Sequence, residues 1–288
     1  MHTVIGDLAW LKCLATRLGI RVPWSRTRWV DCGAVPAGLR QGRAQAAAGR
    51  AAYACLVEAV RRIRTGEADA LVTAPVSKEA IVQAGIPWVG HTEFLARAFR
   101  RQVTMMFVTG RFRASLVTTH LSIRRLPGVL RRAGVAAALR RTREALARDF
   151  GVRRPRIGLA ALNPHGGEGG LFGGEEKALL HPVARSFGRS VEGPIPADWL
   201  MWAASRGRYD AVVAVYHDQA LIPVRMLGWE RAVNVTLGLP FVRTSPVHGT
   251  AFDLAGTGKA SSSSMAAAIE LAVHLARRRA KGSGTFAQ

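Results

Sequence analysis

The chain has 288 residues, of which 49% are hydrophobic, so it can bury the core of one large or two modest domains. Its net charge of +22 favours anionic ligands, yet the arginines lack the aromatic-interleaved stripe, zinc finger or recognition helix that specific nucleic-acid binding needs. No apolar stretch is long enough for a membrane helix, no ordered secretory signal is recognisable, and the three cysteines are widely spaced, so we predict a cytoplasmic enzyme.

Short β-branched runs alternate with longer amphipathic runs, which is typical of an α/β protein with a mainly parallel sheet. The clearest helix, Ala46 to Arg64, has apolar residues every three or four positions and ends before Gly66. The other predicted elements are strands Ala68 to Thr73, Val103 to Thr109 and Ala114 to Thr119, a helix Val129 to Phe150, a strand Arg156 to Leu162, a helix Glu175 to Phe187, a strand Asp210 to Tyr216 and a helix Ser264 to Arg279.

Four of the predicted strands end directly in polar segments, which begin at Thr73, Thr118, Asn163 and Tyr216. In open α/β sheets, ligands bind beyond the carboxyl ends of the strands. We therefore expect these four segments to converge on one crevice, although they are far apart in the sequence.

Three histidines, His120, His165 and His217, each come immediately after a predicted strand. Neutral imidazole is the commonest transition-metal ligand, and three such groups leave coordination positions for a substrate. Each histidine taken alone is more often an ordinary hydrogen-bonded loop residue. Their shared place in the topology favours a metal site, although no two of them belong to one short motif.

Gly90-His91-Thr92-Glu93 precedes a predicted helix that starts at Phe94. Exposed N–H groups at a helix N-terminus suit phosphate or carboxylate, and the same residues are equally consistent with a capping box. Arg225, Asn234 and Arg243 are further candidates, because arginine binds phosphate or carboxylate through two parallel hydrogen bonds. A lone arginine in so basic a chain is usually a surface residue, and Arg243 is the stronger case because apolar sequence surrounds it.

The segment His248 to Asp253 contains small residues that let the backbone approach a flat ligand, together with His and Asp side chains for ring and ribose contacts. As an isolated pattern it could equally form an ordinary loop. The G-x-G-x-x-G fingerprint follows none of the predicted strands, which disfavours a classical Rossmann dehydrogenase.

Taken together, these motifs resemble the 4-hydroxythreonine-4-phosphate dehydrogenase family of pyridoxal phosphate biosynthesis. The matching segments occur in the family's order with compatible spacing and are spread over most of the chain. They are VTAPVSKEAI, GHTEFLA, VTTH, NPHGGEGGLFG, GPIPAD, YHDQALIP and NVTLGLPFVRTSPVHGTAFDLAG.

The resemblance implies an α/β fold like that of isocitrate and isopropylmalate dehydrogenases, with two α/β/α domains flanking a cleft. Residues 1–90 with 229–288 are expected to form the cofactor-side domain, and residues 91–228 the metal, substrate and dimerisation domain. The family also implies a homodimer whose active sites contain residues from both subunits.

The same resemblance assigns roles to individual residues. His120, His165 and His217 match metal ligands, one of them supplied by the partner chain. Asp198 matches an active-site carboxylate, and Asp218 is a second candidate for proton transfer. Substrate contacts are implied for His91, Thr92, Arg225, Asn234 and Arg243, and the adenosine side of NAD for His248, Gly249, Thr250, Ala251 and Asp253.

The implied reaction is the oxidation of 4-phosphooxy-L-threonine followed by decarboxylation to 3-amino-2-oxopropyl phosphate. It would use NAD, with NADP as an alternative, and a divalent metal such as Zn, Mg or Co. A related dehydrogenase of phosphorylated threonate or erythronate, or of a cyclic diol, would share these sites. A metallohydrolase and a catalytically impaired or nucleic-acid-binding descendant are more distant alternatives.

Two features depart from the family pattern. Arg225 stands where the family normally has lysine, so a role in binding phosphate survives the change, whereas proton donation near neutral pH does not. The family's N-terminal strand and Gly-rich loop have no match in the sequence, which begins near the family's second strand. A start assigned downstream of the true one and a genuine loss of a cleft loop both predict this difference.

Overall fold

The computed structural model describes residues 2–33 and 35–283, and these residues form two compact units. The first unit contains the residues up to Arg100 together with His248–Ser262. The second contains Arg101–Val247 and the residues from Ser263 onwards. These boundaries differ from the predicted 1–90 with 229–288 and 91–228. The reason is long-range strand pairing, because the strands after residue 229 pair with a strand near residue 104.

The first unit begins with a parallel strand pair joined by a helix. Asp7 caps that helix by accepting a hydrogen bond from the Trp10 N–H at 2.8 Å. Its longest helix begins and ends where the sequence predicted. The elements are β1 (Thr3–Gly6), α1 (Leu8–Arg17), β2 (Arg28–Asp31), α2 (Ala46–Arg64), β3 (Ala70–Val72), α3 (Lys78–Gln83) and α4 (His91–Ala98), with 3₁₀ turns at Trp24–Arg26 and Phe252–Leu254.

Helices α2 and α3 pack closely in the first unit. A Cβ at Gly49 would lie only 2.0 Å from the Ala80 carbonyl oxygen, so the close approach of the two helices requires glycine there. The adjoining apolar cluster contains Leu56, Ile81 and Trp88, all buried. This packing fixes the segment that leads into α4.

The second unit is built on a seven-stranded sheet. Its elements are β4 (Thr104–Thr109), β5 (Phe112–Leu116), α5 (Leu126–Val129), α6 (Arg132–Arg148), β6 (Ile157–Ala160), α7 (His181–Ser186), β7 (Val191–Ile195), α8 (Ala197–Ser205), β8 (Ala211–Ala214), α9 (His217–Gly228), β9 (Val233–Leu237), β10 (Val242–Pro246) and α10 (Ser263–Ser283). Short 3₁₀ segments occur at Ile123–Arg125 and Gly188–Ser190, and a π-helical turn occurs at Glu176–Leu180. The segment Pro164–Gly170 is a run of tight turns with left-handed backbone.

Within this unit the strand order is β10-β9-β4-β5-β8-β6-β7. The pairs β5–β8, β8–β6 and β6–β7 are parallel, whereas β10–β9, β9–β4 and β4–β5 are antiparallel. The expectation of a mainly parallel sheet is therefore wrong for half of the pairs. The physical reason is local, because only Gly110 and Arg111 separate β4 from β5, and parallel strands need a much longer connection.

Helices cover both faces of this sheet, which confirms the α/β class. One face carries α8 and α9, whose Leu200, Ala220 and Val224 pack with Phe107 and Leu116 of the sheet. The other face carries α6, where Thr142 donates a buried hydrogen bond to Ser115 at 2.8 Å. Successive side chains of β4 therefore point alternately into the cores on the two faces of the sheet, and all six residues of β4 are buried.

Two predicted helices have different boundaries in the structure. The helix expected over Val129 to Phe150 is interrupted, because Leu130 is extended with ψ of 130° and α6 begins at Arg132. The helix expected from Phe94 begins three residues earlier, at His91. Among the described residues, no helix is both long and apolar enough to cross a bilayer.

Candidate active site

The carboxyl ends of β5, β8, β6 and β7 lie along one edge of the sheet, because these four neighbouring strands are parallel. His120 follows β5, His217 and Asp218 follow β8, and His165 follows β6. Asp198 lies in the first turn of α8, directly after β7. The segments from Thr118 and Tyr216 line one pocket, and the segment from Asn163 leaves the same edge of the sheet without lining that pocket. The fourth segment, from Thr73, follows β3 in the other unit.

His120 and His217 lie side by side at this edge. Their ring centroids are 5.5 Å apart with an interplanar angle of 39°. Thr118 fixes the two turns together, because its hydroxyl donates to the Val215 carbonyl at 2.7 Å and its N–H donates to the same oxygen at 3.2 Å. His217 opens α9, and its Nδ1 lies 2.7 Å from the Asp218 carboxylate. A pocket at this position is lined by Thr119, His120, Leu121, Ile123, Leu126, Tyr216, His217 and Asp218.

His165 lies on a turn with left-handed backbone conformation. Its own φ is 52° and that of Glu168 is 44°, and glycines with positive φ occupy positions 166, 167 and 169. A non-glycine residue in this conformation costs about 1–2 kcal/mol, so the turn is strained at two positions. The His165 Nδ1 lies 3.0 Å from the Glu168 carboxylate, and its side chain is 72% exposed.

Glu176 holds the start of this turn from within the protein. Its Oε1 accepts hydrogen bonds from the Leu162 and Asn163 N–H groups at 2.9 and 2.8 Å, and its Oε2 accepts one from Asn163 Nδ2 at 2.9 Å. Burial raises the pKa of the Glu176 carboxyl, but the hydrogen bonds from Asn163 and Leu162 lower that pKa by a larger amount. The pKa of Glu176 therefore lies below its ordinary value. A Cβ at Gly167 would come within 2.8 Å of Glu176 Oε2, so glycine is required for this approach.

The three predicted metal ligands do not meet within one chain. Among residues 2–33 and 35–283, no three His, Cys, Asp or Glu side chains form a group able to hold a metal ion. Two of the three imidazoles are nevertheless prepared for coordination, because His165 and His217 each present Nδ1 to a carboxylate. A neutral imidazole that donates from Nδ1 to a carboxylate has Nε2 left for a metal, which is the usual setting of a metal-bound histidine. The donor set therefore suits a divalent transition metal.

Three predicted substrate residues lie on the α9 side of the sheet. Asn234 is in register with Phe107, whose ring lies 6.0 Å from that of His217, and residues directly opposite each other share a face. Arg243 is only 2% exposed and donates to Thr236 at 3.0 Å. Arg225 donates to the Val247 carbonyl at 2.7 Å and stacks 4.4 Å above the Trp229 ring. Arg225 is thus held at two points in a fixed orientation.

The remaining predicted residues lie in the first unit. His91 and Thr92 open α4, and the His91 ring meets the Trp88 ring edge-on at 5.5 Å. The alternative of a capping box is not realised, since the N-cap is Gly90 and no side chain caps this helix. In the segment His248 to Asp253, His248 Nδ1 lies 2.9 Å from the Gly249 carbonyl, and Ala251 is left-handed with φ of 45°. The segment is largely exposed, and its NAD contacts stay a prediction.

Comparison with known protein families identifies the family to which the chain belongs. The model of pyridoxal phosphate biosynthetic protein PdxA matches residues 13–272 of the chain. The chain belongs to the PdxA family. The relatives of this chain are dehydrogenases, which are oxidoreductases. The matched residues include every predicted site residue from His91 to Asp253.

Individual relatives agree with the family match. A 4-hydroxythreonine-4-phosphate dehydrogenase from Geobacter metallireducens is 46% identical, over 89% of this chain and 77% of that protein. A D-threonate 4-phosphate dehydrogenase from Salmonella typhimurium is 45% identical, over 84% and 75% of the two chains. The crystal structure of a 4-hydroxythreonine-4-phosphate dehydrogenase from Klebsiella pneumoniae superposes with a TM-score of 0.86 at 39% identity, covering 95% and 88%.

More distant similarity concerns the fold alone. An isocitrate dehydrogenase from Methylococcus capsulatus has a TM-score of 0.52 at 14% identity, covering 98% of this chain and 89% of that one. The fold class expected from the sequence is thereby confirmed. This PdxA chain has the α/β architecture shared with the isocitrate dehydrogenase group.

The sequence did not indicate the roles of three residues that hold the turns next to His165 and His217, namely Glu168, Glu176 and Gln219. Glu168 and Glu176 belong to a Gly-rich segment in which acidic residues alternate with turns, and only the folded turn shows which backbone groups they reach. Gln219 was recognisable in principle, because it stands three residues after the N-cap of α9, where a capping box places Glu or Gln.

Proposed function

We propose that this PdxA-family chain is a divalent-metal-dependent and NAD-dependent dehydrogenase. It oxidises the C3 hydroxyl of 4-phosphooxy-L-threonine and promotes decarboxylation to 3-amino-2-oxopropyl phosphate. The observation that carries the proposal is the pairing of His120 with His217 at the ends of adjacent parallel strands, with Asp218 on the His217 Nδ1. Rigid strand ends can present imidazole nitrogens to a metal in fixed directions.

The metal ligands proposed are His120, His165 and His217. A metal bound there would act as a Lewis acid toward the substrate oxygen, while NAD, or NADP as the alternative, would accept the hydride. Zn, Mg and Co are the metals we consider. His120 and His217 lie together, while no metal-binding group forms among the described residues of one chain, so we propose that a second copy of the chain supplies His165.

A homodimer is the form in which we expect the protein to act. The outer face of α9 exposes Ile222, Met226 and Trp229, with 59, 82 and 68% of each residue accessible. These residues follow one another at intervals of four and three, so they form one apolar stripe on the helix that begins with His217. An apolar stripe of this kind is typical of a surface covered by another protein chain. We place this dimer in the cytoplasm.

The cationic and amide side chains on the α9 side of the sheet would bind the anionic parts of the substrate. Arg243 and Asn234 project from β10 and β9, and Arg225 is oriented by Trp229 and Val247. The guanidinium of Arg225 would serve as a fixed positive charge. His91 and Thr92 would contact the substrate from the N-terminus of α4, and the His248 to Asp253 segment would contact the cofactor.

Proton transfer would fall to a carboxylate. Asp218 is already bonded to His217 Nδ1 and therefore orients that imidazole. Asp198 is exposed in the first turn of α8, at the same edge of the sheet. We therefore assign proton transfer to Asp198 and the positioning of His217 to Asp218.

Metal removal tests this function. After treatment with a chelator and its removal, we expect no reduction of NAD with 4-phosphooxy-L-threonine, and recovery when Zn, Co or Mg is restored. NADH absorbance and carbon dioxide release measure the two parts of the reaction. Full turnover by protein shown to contain no metal would overturn the proposal.

A second candidate substrate is D-threonate 4-phosphate. The observation in its favour is that a relative of that name is 45% identical, almost the same as the 46% for the 4-hydroxythreonine-4-phosphate enzyme. The two substrates differ by a hydroxyl in place of an amino group. The ratio of their kcat/KM values, measured with the same metal and cofactor, decides between them.

A further inference from the structure

Gln219 connects the ends of two neighbouring strands. It lies in the first turn of α9 and is buried, with only 9% of the residue exposed. Its Oε1 accepts a hydrogen bond from the Val215 N–H at the end of β8, and its Nε2 donates one to the Ala161 carbonyl at the end of β6. Both bonds are 2.7 Å long.

These two bonds lie beneath the turns that carry His217 and His165. Val215 is two residues before His217, and Ala161 is four residues before His165. The Val215 carbonyl is in turn bonded to Thr118, two residues before His120. The amide of Gln219 therefore completes a chain of hydrogen bonds across three parallel strands at the edge where the histidines lie.

We propose that Gln219 is a positioning residue. Through its bonds to Val215 and Ala161 it holds the His217 turn and the His165 turn of its own chain, and in the proposed dimer each of these histidines serves a different one of the two metal sites. This inference rests on the proposed metal site and deepens it. An amide is the group that the position needs, because it must accept from an N–H at one end and donate to a carbonyl at the other.

A simpler role for Gln219 is helix capping alone. Glutamine three residues after the N-cap commonly folds back to accept a backbone N–H, and glutamate does so equally well. Glutamate at this place also interacts favourably with the helix dipole. Gln219→Glu therefore separates the two roles, since it keeps the bond from Val215 but places an anionic oxygen against the Ala161 carbonyl.

The test measures Co²⁺ binding by metal-free dimer, using the visible absorption of the bound ion, together with kcat. We expect Gln219→Glu to weaken Co²⁺ affinity by about tenfold or more and to lower kcat, with retained helix content. Gln83→Glu is the matched control, because Gln83 is exposed on α3 and donates a hydrogen bond to Glu79 of the same helix at 3.0 Å. It should leave both quantities unchanged.

Two further variants, Gln219→Met and His217→Ala, complete the test. Gln219→Met removes both hydrogen bonds without burying a charge, and it takes the place of the glutamate variant if the latter does not fold. Wild-type Co²⁺ affinity and kcat in a folded Gln219 variant would overturn the positioning role. Co²⁺ binding that is insensitive to His217→Ala would instead overturn the metal site itself, and with it this inference.

Discussion

Two buried carboxylates in the second unit are stabilised in different ways. Asp149, at the end of α6, is 1% exposed and is bonded to Arg148 and Arg279, each at 2.7 Å. Glu176 is 3% exposed, and the partners described above are the neutral N–H groups of Leu162 and Asn163 and the Asn163 side chain. Burial raises the pKa of both carboxyls. The arginines at Asp149 and the hydrogen bonds at Glu176 lower the pKa by a larger amount, so each pKa lies below its ordinary value.

The backbone around the two groups differs as well. Asp149 ends a regular helix and joins it to α10 through Arg279. Glu176 sits at a π-helical turn and anchors a segment in which His165 and Glu168 are left-handed. Strained backbone and π turns concentrate where a protein places functional groups. We therefore interpret Asp149 as part of the scaffold and the turn held by Glu176 as part of the active site.

Replacing the histidine on the strained turn should have the largest effect on catalysis. His165→Ala removes a proposed ligand, and because metal stabilisation of the transition state is worth several kcal/mol, kcat/KM should fall by about a thousandfold or more. His181→Ala is the control, since His181 is also an exposed histidine but begins α7 after a helical turn and does not directly follow a strand. Equal activity of the two variants would contradict the interpretation of the His165 turn as part of the active site.

Neutralising the scaffold carboxylate should affect stability and spare catalysis. Asp149→Asn leaves two arginines facing an amide, so the free energy of unfolding should fall by about 3 kcal/mol, while KM stays unchanged. Glu144→Gln, an exposed change on the same helix, should alter it by less than about 0.5 kcal/mol. Denaturant titration gives the first quantity and steady-state kinetics the second.

The stability of Asp149→Asn relative to wild type should also depend on pH. The pKa of Asp149 is lower in the folded protein than its ordinary value, so its stabilising contribution is complete above the unfolded pKa of about 4. That contribution is lost as pH falls through the folded pKa. The stability difference between wild type and Asp149→Asn should therefore shrink in acid, and a difference that grows below pH 4 would contradict the ion-pair interpretation.

The smallest expected effect concerns Glu176 itself. Glu176→Gln keeps an oxygen for the Leu162 and Asn163 N–H groups but places an amide against Asn163 Nδ2, so kcat should fall severalfold to about tenfold. Glu175→Gln is matched, because Glu175 also contacts Asn163 but is only partly buried. If the Glu175 variant loses as much activity as the Glu176 variant, the Glu176 carboxylate has no special role.

The sequence predicted most where patterns are local. The helix Ala46–Arg64 was predicted with its observed bounds, because its apolar spacing is regular and Gly66 follows. Strand ends bearing His120, His165 and His217 could likewise be located from apolar runs followed by polar residues. The resemblance to family motifs then supplied the predicted roles of these residues, which spacing alone did not.

The sequence predicted least where distant residues decide the structure. The domain boundary depended on β9 pairing with β4, a contact between segments more than a hundred residues apart. The left-handed turn at His165 depends on Glu176, and the connection between β6 and β8 depends on Gln219. Each of these side chains bonds to backbone groups whose position exists only in the folded sheet.

Mixing two inactive variants tests the central claim most directly, which is that imidazoles from two chains complete one metal site. His165→Ala and His217→Ala would be coexpressed and the mixed dimers assayed for NAD reduction. Because one site of each heterodimer would then retain all three histidines, we expect about a quarter of wild-type activity in a statistical mixture. No activity in verified heterodimers would contradict a site in which His165 and His217 come from different chains.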